Sequence, residues 1–141
     1  MKRLLLLLAI VVLPIISYAQ QHSGIFVRVG ENGKRHDILH HALNENQPLS
    51  TFKKDPVIYA ASLADTYTVV SYEVSILAPD AGNDLIGPIK VSGENKAEIF
   101  KKHEKRLKTN TRVYFENIVL KCEDCATEKE VRCRSLSVLI E

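Results

Sequence analysis

The chain has 141 residues, of which 19 are basic and 17 acidic, and three are cysteine. That length suits one domain with a single packed core and leaves no comfortable room for two. The formal charge of +2 is far from the basic excess that nucleic-acid binding requires, so nucleic acid is set aside as a partner.

Lys2 and Arg3 precede an unbroken apolar run over residues 4–13, followed by Pro14 and the small-x-small triplet Ser17, Tyr18, Ala19. This is the pattern of a secretory signal peptide over residues 1–19, with cleavage expected after Ala19. The apolar run is half the roughly 20 residues that a membrane-crossing helix needs. No transmembrane anchor is therefore expected after cleavage, and no cysteine adjoins the cleavage point to carry a lipid. The 141 residues less these 19 leave 122, and the 19 basic residues less Lys2 and Arg3 leave 17 against 17 acidic. The mature form should be a neutral, exported, periplasmic-type domain spanning residues 20–141.

Residues 25–29 (IFVRV) read as a short strand ending in Gly30-Glu31-Asn32-Gly33, whose Asn-Gly pair suits a tight turn. In residues 37–43 (DILHHAL), Ile38, Leu39, Ala42 and Leu43 fall on one face of a short helix that Asp37 is placed to cap. Residues 49–65 have no clean period, and Pro56 interrupts any strand there, so irregular or edge structure is expected. Residues 66–77 (TYTVVSYEVSIL) alternate, and Val70, Tyr72, Val74 and Ile76 make one apolar face of a half-buried strand. Residues 79–83 read as a loop. A strand resumes over residues 85–91, where Pro88 argues for an edge position or a bulge.

One longer helix is expected over residues 95–108, with Asn95 and Glu98 as its start signal and Asn110 just past its end. Ala97, Phe100 and Leu107, helped by Ile99 and with His103 or Glu104 between them, form its inward stripe. Lys96, Lys101, Lys102, Lys105, Arg106 and Lys108 form the opposite surface. Residues 111–140 then read as a β-hairpin: TRVYFENIVLK, a charged tip CEDCATEKE, and VRCRSLSVLI. The expected fold is mainly β, a small antiparallel sandwich of six or seven strands, Ig-like in character, with one lysine-rich helix and one short helix.

All three cysteines sit in or beside the hairpin tip. In an exported protein they are disulfide candidates: Cys122 with Cys133 would staple the base of the tip, and Cys122 with Cys125 would close a small loop. One thiol is left over in either case. A redox-active C-x-x-C normally opens a helix that lowers the thiol pKa, whereas this one lies between strands beside acidic residues. A zinc site lacks a fourth ligand at regular spacing. His36 and His40 are four apart, with His41 adjoining, but Asp37, Ile38 and Leu39 between them do not make the H-E-x-x-H pattern; a solvated helix end is the simpler reading. His22 lies in the polar lead. The cations Lys101, Lys102, Lys105 and Arg106 and the tip carboxylates Glu123, Asp124, Glu128 and Glu130 are the candidate interaction residues. Their opposite signs allow head-to-tail self-association. No catalytic constellation and no cofactor motif stands out.

The strand YTVVSYEVSIL, the segment LIGPIKVSG, the lysine-rich helix and the stretch KTNTRVYFENIVLK with its closing strand resemble, over about residues 66–140, the C-terminal domain of the GldM/PorM family. VRVGENGKRHDILHHAL corresponds to that domain's preceding glycine turn and short helix. The family forms the periplasmic shaft of the type IX secretion and gliding-motility machinery of Bacteroidetes. The resemblance implies a non-enzymatic assembly module with an envelope protein partner, such as a secretion-machine component. Family members carry an N-terminal transmembrane helix and several periplasmic domains, where this chain has a cleavable leader and one domain. Their hairpin tip is a glycine turn, so CEDCATEKE is a departure. The alternative from another class is an envelope thiol-redox or metal-binding protein that uses the cysteine-rich tip.

Overall fold

A computed structural model describes residues 24–39, 41–63, 65–79, 82, 84–126 and 130–141. The segment read as a leader (residues 1–19), His22, His40 and Glu128 lie outside the described residues. Eight strands and two short α-helices occupy the described part: β1 (Ile25–Val29), β2 (Leu43–Gln47), α1 (Leu49–Lys54), β3 (Ile58–Ser62), β4 (Tyr67–Leu77), β5 (Leu85–Ser92), α2 (Glu98–Lys102), β6 (Arg112–Cys122), β7 (Glu130–Arg132) and β8 (Leu136–Ile140). A 3₁₀ turn over Glu104–Arg106 follows α2. The fold is mainly β, as expected, and its two sheets form a small sandwich.

Val113, Tyr114, Phe115, Ile118 and Val119 give the eleven-residue β6 its β-branched and aromatic character, and the strand takes the centre of the larger sheet. It pairs antiparallel with β4 on one side and with β8 and then β7 on the other. The order is β2-β8-β6-β4-β5, with β7 beside the far end of β6. The hairpin read from the sequence is therefore present, but its return strand is broken between Arg132 and Leu136. β2 pairs with β8 in parallel, so the larger sheet is mixed rather than wholly antiparallel. β1 and β3 form a separate antiparallel pair. Ile25, Val27, Val29 and Ile58 from that pair share one core with Tyr72, Val74, Ile76, Val113, Phe115, Ile118, Leu120 and Val138 from the larger sheet.

The alternation expected along β4 holds for Tyr72, Val74 and Ile76, which are buried, and fails at Val70, which is 36% exposed while Val69 is 8% exposed. Opposed irregularities in the β4–β6 ladder explain this. Val69 faces Leu120 and Ser71 faces Val119, which leaves Val70 as an extra residue; on the other strand Glu116 faces Glu73, so the surplus falls at residues 117–118. Asn117 takes φ 49° there, and its amide donates to Glu73 at 2.6 Å. β5 lies on the sheet edge, and a third bulge falls where Val74 faces Ile89 but Ile76 faces Ile86. Pro88 sits in that bulge, satisfying both expectations made for it. Gly87 has φ +114°, and a Cβ there would lie 2.4 Å from the Val74 carbonyl oxygen, so no other residue fits.

Two helix expectations are corrected. Residues 37–43 hold no helix among those described. Asp37 accepts the Leu39 N–H at 3.2 Å in a local turn, the Arg134 N–H donates to the Ile38 carbonyl, and Leu43 already begins β2. Ile38 is buried from this loop, which satisfies the same apolar pattern. The short helix lies instead at α1, in the stretch expected to be irregular. Pro48 opens it with φ −58°, the Phe52 N–H donates to the Pro48 carbonyl, and Phe52 faces the core. The longer helix is present only as α2 and the 3₁₀ turn, parted at His103 (φ −108°, ψ 21°). Asn95 contributes its backbone carbonyl to Glu98 rather than a side-chain cap. Phe100 and Leu107 are buried as predicted, and Asn110 closes the segment with φ 67°.

Candidate functional site

The tip begins where β6 runs past the sheet. Cys122 is buried at the strand end and forms a disulfide with Cys125, with Cα atoms 5.6 Å apart. Of the two pairings open from the sequence, the shorter loop is the one formed. Cys133 remains a free thiol, set in the broken return strand with its N–H donating to the Ile118 carbonyl. Burial, with a smaller contribution from the nearby Asp37 carboxylate, pushes that thiol up to about 11. A neutral, half-buried thiol is a poor nucleophile and metal ligand.

The carboxylates inside the disulfide loop are exposed, yet both are bonded to the segment that leads into and begins β4. Asp124 accepts the Thr66 N–H at 2.9 Å, the Glu123 N–H donates to the Thr66 carbonyl, and the Thr68 hydroxyl donates to Glu123 at 2.7 Å. Lys121 adds a 3.3 Å contact to the other Glu123 oxygen. Hydrogen bonding from Thr68, then Lys121, holds the Glu123 carboxyl below its ordinary range; the Thr66 N–H does the same for Asp124. The loop is a clasp onto the start of β4. It is not visible in the sequence, because Thr66 and Thr68 lie 55 to 58 residues away. Glu130 stands apart at the start of β7, paired in register with Lys121 and exposed.

Cys122, Asp124 and Cys125 bring ligand atoms within 4.8 Å of one another, the one such grouping among the described residues. The disulfide occupies both sulfurs, so a metal could be held there only by the reduced pair. His36 is not part of it. Its Nε2 lies 2.6 Å from Glu45 on β2, and the two side chains are 10% and 9% exposed. Backbone bonds in both directions between Val27 and His36 hold the histidine in place. This pair ties the loop after β1 to an edge strand. The partner was invisible in the sequence because Glu45 sits on a strand with no apolar alternation.

The expected cations do lie on and after α2, with Lys101, Lys102 and Lys105 exposed and Arg106 half-buried. Lys96 departs from that face: its ammonium donates to the Val69 carbonyl, and burial lowers its pKa. Two further lysines not singled out from the sequence, Lys53 and Lys54, come alongside from the last turn of α1. Lys53 reaches Glu104 at 3.6 Å across the gap between the helices. That gap is a hollow of about 200 Å³ whose lining includes Pro56, Phe100 and Leu107.

No described helix is long and apolar enough to cross a membrane. No protein-family model and no curated protein matches the chain.

Proposed function

We propose that the chain is an exported, non-enzymatic interaction module that works in the cell envelope, akin to a stand-alone GldM/PorM C-terminal domain and serving the secretion or gliding apparatus. The observation that carries this reading is the position of the resemblance. The stretch TRVYFENIVLK is β6, the strand with the most partners in the larger sheet, so the similarity lies in the residues that organise the fold. The Cys122–Cys125 disulfide supports export, since such bonds persist in oxidising compartments. The side chains that look most reactive in the sequence are held in structural roles: Cys122 and Cys125 in a bond, Asp124 and Glu123 on Thr66 and Thr68, His36 on Glu45. Pull-down with the mature chain from an envelope extract of the native host, at low salt, tests the reading. Enrichment of secretion or gliding components is expected; recovery of none argues against it.

The metal-binding alternative has one observation in its favour, the grouping of Cys122, Asp124 and Cys125. Stoichiometric zinc on the chain as isolated, with both thiols alkylatable, is the result that prefers it.

A further inference from the structure

We infer that the hollow between α1 and α2 is a docking site for an acidic segment of a partner protein that inserts one apolar side chain; this rests on the interaction-module reading and names its surface. The floor is apolar and fixed. Phe100 and Leu107 are each 3% exposed, and the Phe100 ring packs on Phe52 of α1 at 5.6 Å and on Phe115 of the sheet at 6.1 Å. About 200 Å³ is room for a single side chain. The rim is cationic because both short helices place lysines in their last turns, Lys53 and Lys54 on α1 and Lys101 and Lys102 on α2. Around the hollow stand Lys53, Lys54 and Lys101 against one carboxylate, Glu104, which Lys53 holds. Lys54 and Lys101 have no carboxylate partner among the described residues.

The shape selects the partner class. A bilayer surface is bound by apolar side chains that protrude from a basic face into the acyl boundary. Here the apolar atoms lie at the bottom of a recess between lysines, which receives a convex side chain flanked by carboxylates. Of the chain's own tip carboxylates, Glu123 and Asp124 are poor occupants for a second copy, because they are engaged on Thr66, Thr68 and Lys121. The Lys53–Glu104 pair is an internal stand-in for the incoming carboxylate. Both its side chains are well exposed, at 37% and 66%, so it competes weakly and is readily displaced.

Two variants with opposite expected signs make the test sharp. The mature protein, K54E/K101E and Glu104→Gln are each presented with a pooled library of acetylated, amidated nonapeptides. Each peptide has Asp and Glu around one varied central residue. Vesicles of phosphatidylcholine with phosphatidylglycerol, and sedimentation of the protein alone, serve as the other arms. Leu, Met or Phe is expected to be enriched at the centre over Ser or Asn. Binding should fall about tenfold in K54E/K101E and rise about two- to threefold in E104Q at low ionic strength. No enrichment, equal binding by K54E/K101E at an unchanged melting temperature, vesicle binding that alone responds to the lysines, or lysine-dependent self-association would each overturn the inference. If envelope proteins are captured equally by wild type and K54E/K101E, the docking site fails while the interaction module stands. If none is captured, the module reading itself fails.

Discussion

Cys133 is the residue whose environment sets its chemistry most plainly. Its thiol titrates near 11 in the fold against an ordinary 9.0, chiefly because the protein around it disfavours the thiolate. Below the ordinary value both folded and unfolded chains carry a neutral thiol, and burial costs nothing in charge. As pH rises from about 9 through about 11 the unfolded thiol ionises first, so stability is lost over that window. The C133A variant should therefore keep more of its low-pH stability at pH 10.5 than the parent does. Iodoacetamide should modify the folded chain slowly at pH 8 and the denatured chain fast. Equal rates would mean that the side chain is not buried as described. A second residue-scale device is Thr111, fully buried where the 3₁₀ turn enters β6. Its hydroxyl donates to the Arg106 carbonyl at 2.9 Å and accepts the Lys108 N–H at 3.1 Å. Thr111→Val keeps the shape and loses both bonds, with an expected cost of about 1–3 kcal/mol in urea unfolding.

At the scale of elements, the tip is held by two devices of different kinds, a covalent loop and a set of hydrogen bonds onto residues 66–68. Closing a four-residue loop contributes on the order of 2 kcal/mol through the unfolded state, about 1 kcal/mol less than a Cys122–Cys133 closure would give. The shorter pairing leaves the return strand free to break at residues 133–135 and to place β7 and β8 separately along β6. Peptide mapping after alkylation without reductant should find Cys133 modified and Cys122 joined to Cys125. A Cys122–Cys133 peptide would overturn the assignment.

The longer strands were legible in the sequence: β4 lies where alternation puts it, and β5 and β6 lie where apolar runs bounded by turn residues put them. Val70 was misplaced because a bulge shifts phase without changing residue type. α1 was missed because six residues after a proline carry too little period to register. Residues 37–43 show the converse case, since i, i+1, i+4, i+5 spacing also fits a loop that buries Ile38 beside β8. The basic side of the site was half legible. Lys101, Lys102 and Lys105 could be read from the helix expected over residues 95–108, whereas Lys53 and Lys54 become part of the same surface only because Phe52 packs on Phe100.

Across the whole molecule, four aromatic rings form one line of contact. Phe52 of α1 meets Phe100 of α2, Phe100 meets Phe115 of β6, and Phe115 meets Tyr72 of β4 at 5.7 Å. Both helices are thus fixed to the centre of the larger sheet through ring contacts, edge-on for Phe52–Phe100 and Tyr72–Phe115 and tilted for Phe100–Phe115, and an edge-on pair adds about 0.5–1.5 kcal/mol beyond its buried area. Phe100→Ala should cost about 3–5 kcal/mol. It should also raise hydrogen exchange in α1 and α2 before it does so in β6. Uniform exchange across the chain would show that the helices are not anchored in this way.

The proposal for the whole molecule is an exported binding domain, built on a β scaffold, a clasped tip and a lysine-rimmed hollow. Carbodiimide cross-linking of intact cells of the native host, which activates a carboxylate and joins it to a lysine amine as an amide, followed by mass spectrometry, tests that reading most directly. The account predicts a mature chain beginning at Gln20, with cross-links from Lys54 or Lys101 to acidic segments of envelope proteins of the secretion or gliding apparatus. A chain retaining residues 1–19 and cross-linked only to cytoplasmic proteins would contradict it.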